Sequence, residues 1–589
     1  MNIIRNLLSV SELGNHFRTC LRTAAPLFLF AAAGCLLGPK PDSDYSPEAF
    51  LTLAEAGHSP FEIVHAPDMP ESVALAAREL QHYFAAATGV RLPIRADGSE
   101  PSGPSIFLGE GPWSEAAGIS AADLPLEGFR ILTHGGHLHI VGRDLAQTPR
   151  GGSSEGTLFG VYAFLEDQLG IRWLIPGEGG EVVPDHPLLR IPALDLRDAP
   201  VYSSRRLPFT GRLEEVAVWQ RRNRLGGSLR VQHYHHWERV VPSELFEQHP
   251  DWFPMQGGRR VPPAGRYKLE TTNPELLRFF AAAAVRAFDA DPYRHTFSLS
   301  PSDSRGWSES PESLALTEED PHGNVSVTPL VLRFYNDVSR IVAETHPDRL
   351  LAGYIYADYL YPPRAGIGHI EPNFFPVIAS HISYGFTLYR EDIRADWLEV
   401  MNAWSAAATK IGYYDLMNRW SGNQLGAPTP VGTSNIRFIF ENFRRLGNVD
   451  HMYLFGQEAW GRAGASNYVL TRMMWDPTQD PDVLRREFYE LAYGSAAGEA
   501  IRALDDLLDE AFAAEYQSND QARYQPTPDM LRRIYAPRFD RIRSLYRQAL
   551  EAPMTEAQRR RLDMLGMNLA MFEWNLVQRN LVPADTNSP

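Results

Sequence analysis

Residues 350–358, LLAGYIYAD, decide the fold: a short apolar and aromatic run that ends directly on a carboxylate. Its length and residue types suit a buried strand of a parallel sheet. Three other stretches end in the same way, namely 294–303 (RHTFSLSPSD), 410–415 (KIGYYD) and 449–458 (VDHMYLFGQE). Between them lie helical segments such as 274–288 and 329–345, and a further strand is expected at 228–231. Strand and helix in alternation are the mark of βα units. A (β/α)8-like barrel is therefore expected over 196–480, with the strand-end acids Asp303, Asp358, Asp415 and Glu458 on the one face where such barrels gather catalytic side chains.

Working outward, the segment before the barrel has a different rhythm. Strands are expected at 61–65, 106–109 and 129–132, with a hairpin turning at His134-Gly135-Gly136-His137. An amphipathic helix over 71–87 stops at Thr88-Gly89, and a second spans 157–169. Residues 61–195 thus form a small α/β domain. After 481 the chain is helical, with segments at 483–493, 497–516, 528–552 and 556–577, giving a helical C-terminal domain over 481–589.

The N-terminus places Arg5, Arg18 and Arg22 before an apolar run that is too short to span a bilayer, an export signal over 1–35. Ala32-Ala33-Gly34-Cys35 resembles a bacterial lipoprotein box, which implies lipidation of Cys35 and a periplasmic or cell-surface location with membrane contact through that anchor; plain secretion and an uncleaved membrane anchor are the alternatives. Residues 36–60, rich in Pro, Ser and acids, are expected to be a tether. Cys20 lies inside the signal, so the mature domains offer no thiol for nucleophilic, zinc or iron–sulfur chemistry. With 72 Asp+Glu against 56 Lys+Arg and no long basic run, nucleic acid is excluded as a partner.

Acids at strand ends beside aromatic rings point to a sugar. Glycosidic cleavage needs two carboxylates, one to protonate the leaving oxygen and one to activate water or attack the anomeric carbon, and aromatic rings offer apolar faces to a pyranose. Asp415, after the alternating Tyr413 and Tyr414, is a candidate second carboxylate, orients a substrate acetamide, or holds Arg419. Asp358 lies among Tyr354, Tyr356, Tyr359 and Tyr361, a sugar platform or the filling of a loop. Trp307, Tyr356, Tyr414 and Trp460 are the expected stacking residues. His233 and His235 share one face of their segment, but no third ligand follows at zinc spacing, so hydrogen bonding to substrate is expected and no metal. Arg205-Arg206 either grips an acidic sugar or forms interdomain ion pairs. Gly257-Gly258 is expected at a hairpin tip.

Residues 156–173 (GTLFGVYAFLEDQLGIRW) with Pro176-Gly177-Glu178 resemble the accessory N-terminal domain of alpha-glucuronidases and beta-hexosaminidases. His249-Pro250-Asp251-Trp252-Phe253, Lys268-Leu269, Thr272-Asn273-Pro274, Ser300–Asp303, Trp475-Asp476-Pro477 and Phe488-Tyr489 resemble a bacterial family of alpha-glucuronidase-like proteins, some classed in glycoside hydrolase family 163. That resemblance implies hydrolysis of a complex glycan, at beta-N-acetylglucosaminide linkages in family 163, without a cofactor. It marks Glu458, in Gln457-Glu458-Ala459-Trp460-Gly461, as a catalytic carboxylate and places Asp303 where alpha-glucuronidases carry a glutamate. Two other functions fit the residues: an exo-hydrolase of acidic polysaccharide, and a carbohydrate-binding lipoprotein without a working acid pair.

Overall fold

The computed structural model describes residues 50–420 and 426–583. The expected export signal, Cys35 and residues 36–49 of the expected tether lie outside the described residues. The rest of that tether differs from the expectation, because strand β1 (Phe50–Glu55) pairs antiparallel with β7 (Leu188–Pro192). In FLTLAE the apolar residues return after the Pro- and acid-rich stretch, and Leu53 and Ala54 are buried.

The α/β region is built on a six-stranded mixed sheet. Its spatial order is β8 (Asp195–Asp198), β5 (Phe129–His134), β6 (His137–Gly142), β4 (Ser105–Leu108), β2 (Glu62–Val64) and β3 (Ile94–Arg95). The predicted hairpin is present, with His134 opposite His137. Helices α1 (Glu71–Thr88) and α2 (Gly156–Leu169) pack together and end at Gly89 and Gly170, both left-handed. Gly160 lets α2 lie against the sheet, since a Cβ there would stand 2.8 Å from Ile140 Cγ2.

The barrel region is a curled, wholly parallel sheet of six strands, a half-barrel. Its order is β9 (Ser204–Arg206), β14 (Val449–Leu454), β13 (Ile411–Asp415), β12 (Phe374–Ala379), β11 (Leu350–Tyr356) and β10 (Thr296–Ser298). Helices α3 (Glu214–Arg222), α4 (Pro274–Ala290), α5 (Thr328–Ala343), α6 (Glu391–Ala407), α7 (Thr433–Leu446) and α8 (Trp460–Trp475) alternate with the strands. All four acid-tipped stretches form strands. The strand expected at 228–231 does not form beyond a single bridge at Leu229. Residues 226–236 instead run as irregular chain between the two outer strands. They bond to β9 through Arg205 N–H to the Gly226 carbonyl (2.7 Å), and to β10 through Thr296 and Ser298, whose hydroxyls donate to the carbonyls of Arg230 (3.0 Å) and Tyr234 (2.6 Å). Gly227, at φ 145°, makes the approach possible, because a Cβ there would lie 2.3 Å from the Ser203 carbonyl oxygen.

The C-terminal region contains α9 (Pro481–Tyr493), α10 (Ser495–Ser518), α11 (Pro528–Tyr535), α12 (Phe539–Glu551) and α13 (Glu556–Gln578). One helix was expected over 528–552. It is two, divided at 536–538, where Pro537 removes a backbone donor. Among the described residues no helix is long and apolar enough to cross a membrane.

Ion pairs join these regions into one compact unit. Arg205 is fully buried and donates two hydrogen bonds to Glu127 (2.6 and 3.3 Å), which also accepts from Ser228 N–H at 2.9 Å. Glu166 on α2 binds Arg224 at 2.7 Å and also Arg472. Arg561 on α13 donates to the carbonyls of Gly179 and Glu181.

Candidate active site

Strand alternation decides which side chains meet. On β14, His451 and Tyr453 share one face with Phe455 just beyond it, and the His451 ring lies 5.0 Å from that of His233 in the closing segment. Tyr453 stacks on Tyr414 of β13 at 5.4 Å, and Tyr414 meets Tyr354 of β11 at 5.5 Å. This inward face is a bowl of aromatic rings. His233 shares a hydrogen bond with the Tyr354 hydroxyl (3.0 Å) and burial holds it neutral, with its pKa lowered to about 3. His235, nearer the rim, bonds through Nδ1 to the Pro301 carbonyl. Burial pushes the Tyr356 phenol up to about 12. His233 is buried and His235 half-buried among the rings of this bowl.

The rim carries the acids. Asp303 follows β10 and is exposed, with Oδ2 accepting from Arg266 at 3.2 Å. Its field reaches Tyr356, Tyr359 and Tyr414. Asp358 sits in the turn after β11, where Ala357 adopts a left-handed φ of 49° that side chains rarely take. Its Oδ2 accepts from Trp307 Nε1 at 3.0 Å. Glu458 is exposed beyond β14, within electrostatic reach of Arg419, and its carboxylate has no hydrogen-bond partner among the described residues.

Lys268 binds the rim from beneath. It is 3% exposed, donates to the Ser302 carbonyl at 2.7 Å, and places Nζ 4.0 Å above the Trp307 ring. Asp358 and Asp303 favour its charge, but burial dominates and lowers its pKa to about 8. In the sequence this lysine stood out only within the family motif Lys268-Leu269. A cleft of about 540 Å³ opens beside the bowl between Asp358, His381, Tyr384, Tyr524 and the hairpin bearing Asn324, a size typical of ligand sites. Another cavity, of about 420 Å³, lies between Trp173, Leu213 and Trp219 and contains none of the predicted site residues.

Two predicted site residues lie elsewhere. Asp415 shares the outer face of β13 with Tyr413, opposite to Tyr414, because strand side chains alternate. It is fully buried against the helix layer, where Oδ2 accepts from Ser383 (2.7 Å) and Tyr413, and its pKa is raised to about 8 by burial. Nor does it hold Arg419, whose guanidinium stacks on Phe209 (5.1 Å) and Phe455 (5.4 Å). Trp460 is turned away from the bowl: its indole donates to the Thr210 carbonyl at 3.0 Å and meets Trp219 edge-on at 4.6 Å. Tyr453, Tyr384 and Arg419 were missed as site residues. The alternation of His451, Tyr453 and Phe455 was the available signal for the first.

No curated protein matches the chain. Among solved structures, a family GH115 4-O-methyl-alpha-glucuronidase with specificity for decorated arabinogalactans superposes with a TM-score of 0.51 over 90% of this chain and 74% of that one, at 11% identity. A GH138 enzyme targeting pectin rhamnogalacturonan II gives 0.41 at 11% identity, over 87% and 85% of the two chains. A Streptomyces plicatus N-acetyl-beta-hexosaminidase gives 0.39 at 13% identity, over 75% and 92%. The first likeness shows a shared fold. A family model covers residues 175–506, more than half of the chain, and the protein belongs to that family, whose description is Domain of unknown function (DUF4838).

Proposed function

We propose that this protein is a glycoside hydrolase that cleaves an O-glycosidic bond of a complex glycan at the mouth of the half-barrel. The observation that carries this reading is the placement of Glu458 and Asp303 beyond strand ends β14 and β10, with the Tyr354–Tyr414–Tyr453 bowl between those strands. One carboxylate protonates the leaving oxygen while the other activates water or attacks the anomeric carbon. In a 2-acetamido substrate the acetamide can replace the enzymic nucleophile, and the second acid then orients it. Asp358, with one oxygen held by Trp307, is left to bind a sugar hydroxyl through the other. Tyr356, Trp307 and His235 supply further polar atoms and ring faces around it. Beta-N-acetylglucosaminide linkages are the proposed first target, on the strength of the family 163 resemblance. Asp415 takes no part in the chemistry.

A second reading rests on a specific feature. Asp303 is paired with Arg266 and Asp358 with Trp307, which leaves Glu458 as the unpaired acid, and a glycan-binding protein without turnover would also fit. Hydrolysis assays on complex N-glycans, beta-N-acetylglucosaminides and glucuronoxylan separate the two. Turnover lost in Glu458→Gln with the fold intact supports the hydrolase. Binding without turnover in the wild type supports the second reading.

The N-terminal signal, lipidation of Cys35 and an exported location remain part of the proposal. They would be tested by metabolic labelling with a fatty acid in cells expressing the chain and its Cys35→Ala variant.

A further inference from the structure

We infer that Arg206 and Arg419 form a recognition site for an acidic substituent, a carboxylate or a sulfate ester, on the sugar bound at the mouth. This deepens the proposed function and rests on the same mouth being the glycan site. Ser204 Oγ bonds His451 Nδ1 at 2.8 Å inside the barrel, so Arg206, two residues further along β9, belongs to the same inward face. In the parallel register it lies beside Tyr453, and its charge acts on His233, His451 and Tyr453. Arg206 is exposed, and its guanidinium has no hydrogen-bond or ion-pair partner among the described residues.

Arg419 approaches the same patch from the loop after β13. Its guanidinium is held flat by Phe209 and Phe455, and Phe455 in turn touches both Tyr414 (5.2 Å) and Tyr453 (5.8 Å). Its guanidinium donates to no carboxylate among the described residues, and Glu458 acts on it through space. Thus two cations border Tyr453 and Phe455, and neither is bonded to an acid among the described residues. Elsewhere in the barrel and at its seam, arginines such as Arg205, Arg224 and Arg472 are bonded to glutamates. A guanidinium presents a planar fork that suits the paired oxygens of a carboxylate or a sulfate, and stacking on Phe209 and Phe455 fixes the plane of one fork in advance. His233 and His451 are held neutral by burial and add no positive charge beside these two arginines.

Three ligands that differ only at C6 test the site by calorimetric or NMR titration of the full chain: methyl beta-D-glucopyranoside, methyl beta-D-glucopyranosiduronate and methyl beta-D-glucopyranoside 6-sulfate. One or both anions are expected to bind about 10- to 100-fold more tightly than the neutral sugar, the range of charge-assisted hydrogen bonds. Preference for the uronate alone assigns a carboxylate, and preference for the sulfate alone assigns a sulfate ester. Arg206→Gln and Arg419→Gln should each remove most of that preference while circular dichroism and melting temperature stay unchanged. Equal binding of all three, binding of none, or a preference that survives Arg206→Gln overturns the inference. Because the titrations need no turnover, hydrolysis of a neutral glycan without anion preference defeats only this site. Anion preference without hydrolysis of any glycan defeats only the hydrolase reading.

Discussion

Arg205 and Arg206 are neighbours on one strand and live in opposite regimes. Arg205 points into the seam between the α/β region and the barrel, where it is fully buried and bonded twice to Glu127. Arg206 points into the mouth, exposed, with no guanidinium partner among the described residues. The same contrast holds more widely. At the seam, Glu127, Glu166 and Asp450 are each bonded to an arginine. At the mouth, Glu458 has no bonded partner among the described residues, and Lys268 has a carbonyl and an indole ring as its contacts. Charges that serve the fold are neutralised by the fold, because a buried unpaired charge is costly. Charges left unneutralised at a cleft are the ones available to a ligand.

The most severe test of that contrast is Glu458→Gln, which should lower turnover by about 10²- to 10⁴-fold, the usual scale of a lost acid–base group, without shifting the melting temperature. If turnover survives, the mouth loses its leading acid. Next, Arg205→Met should cost about 3–5 kcal/mol of stability in chemical denaturation, because it strands the buried Glu127. Arg206→Met should stay within about 0.5 kcal/mol of wild type, as exposed substitutions do. Equal effects would erase the distinction between the two regions.

Two buried groups give pH signatures of opposite sign. Asp415 has a folded pKa raised to about 8, so it is protonated in the folded chain and ionised in the unfolded one between about pH 4 and 8. Its contribution is full below pH 4 and falls as pH rises towards 8; Asp415→Asn should flatten that slope and raise stability at neutral pH. Lys268 has a folded pKa lowered to about 8, against 10.5 for the ordinary side chain. The unfolded chain binds the extra proton between those values, so stability should rise from pH 8 to 10.5, and Lys268→Met should remove the rise. Denaturation midpoints measured across pH in each variant check both. The smallest effect is expected from Trp460→Phe, which loses one hydrogen bond and should cost about 1 kcal/mol with turnover unchanged.

Much of this was legible in the chain. The acid-tipped stretches became parallel strands, the Gly89 and Gly170 helix ends fell where glycine stands, and the His134–His137 hairpin formed. The strand Phe374–Ala379 was not found, because it contains Pro376 and ends on alanine and serine, without the carboxylate that marked the others. Residues 228–231 carry strand-forming side chains, yet the carbonyls of Ser228 and Arg230 accept from the hydroxyls of Thr148 and Thr296 and the segment stays irregular.

Which residue types stand at the strand ends follows from the chain alone, since periodicity and punctuation are local properties. Only the tertiary structure decided which of those acids faces the bowl. A side chain's side of a sheet depends on strand register and on what the opposite layer buries, and Asp415 differs from its neighbour Tyr414 by one residue of pleat. The surroundings of Lys268, Arg206 and Arg419 likewise come from tertiary contacts. An arginine at the seam and an arginine at the mouth are the same letter, and the partner brought from a distant part of the chain makes the difference.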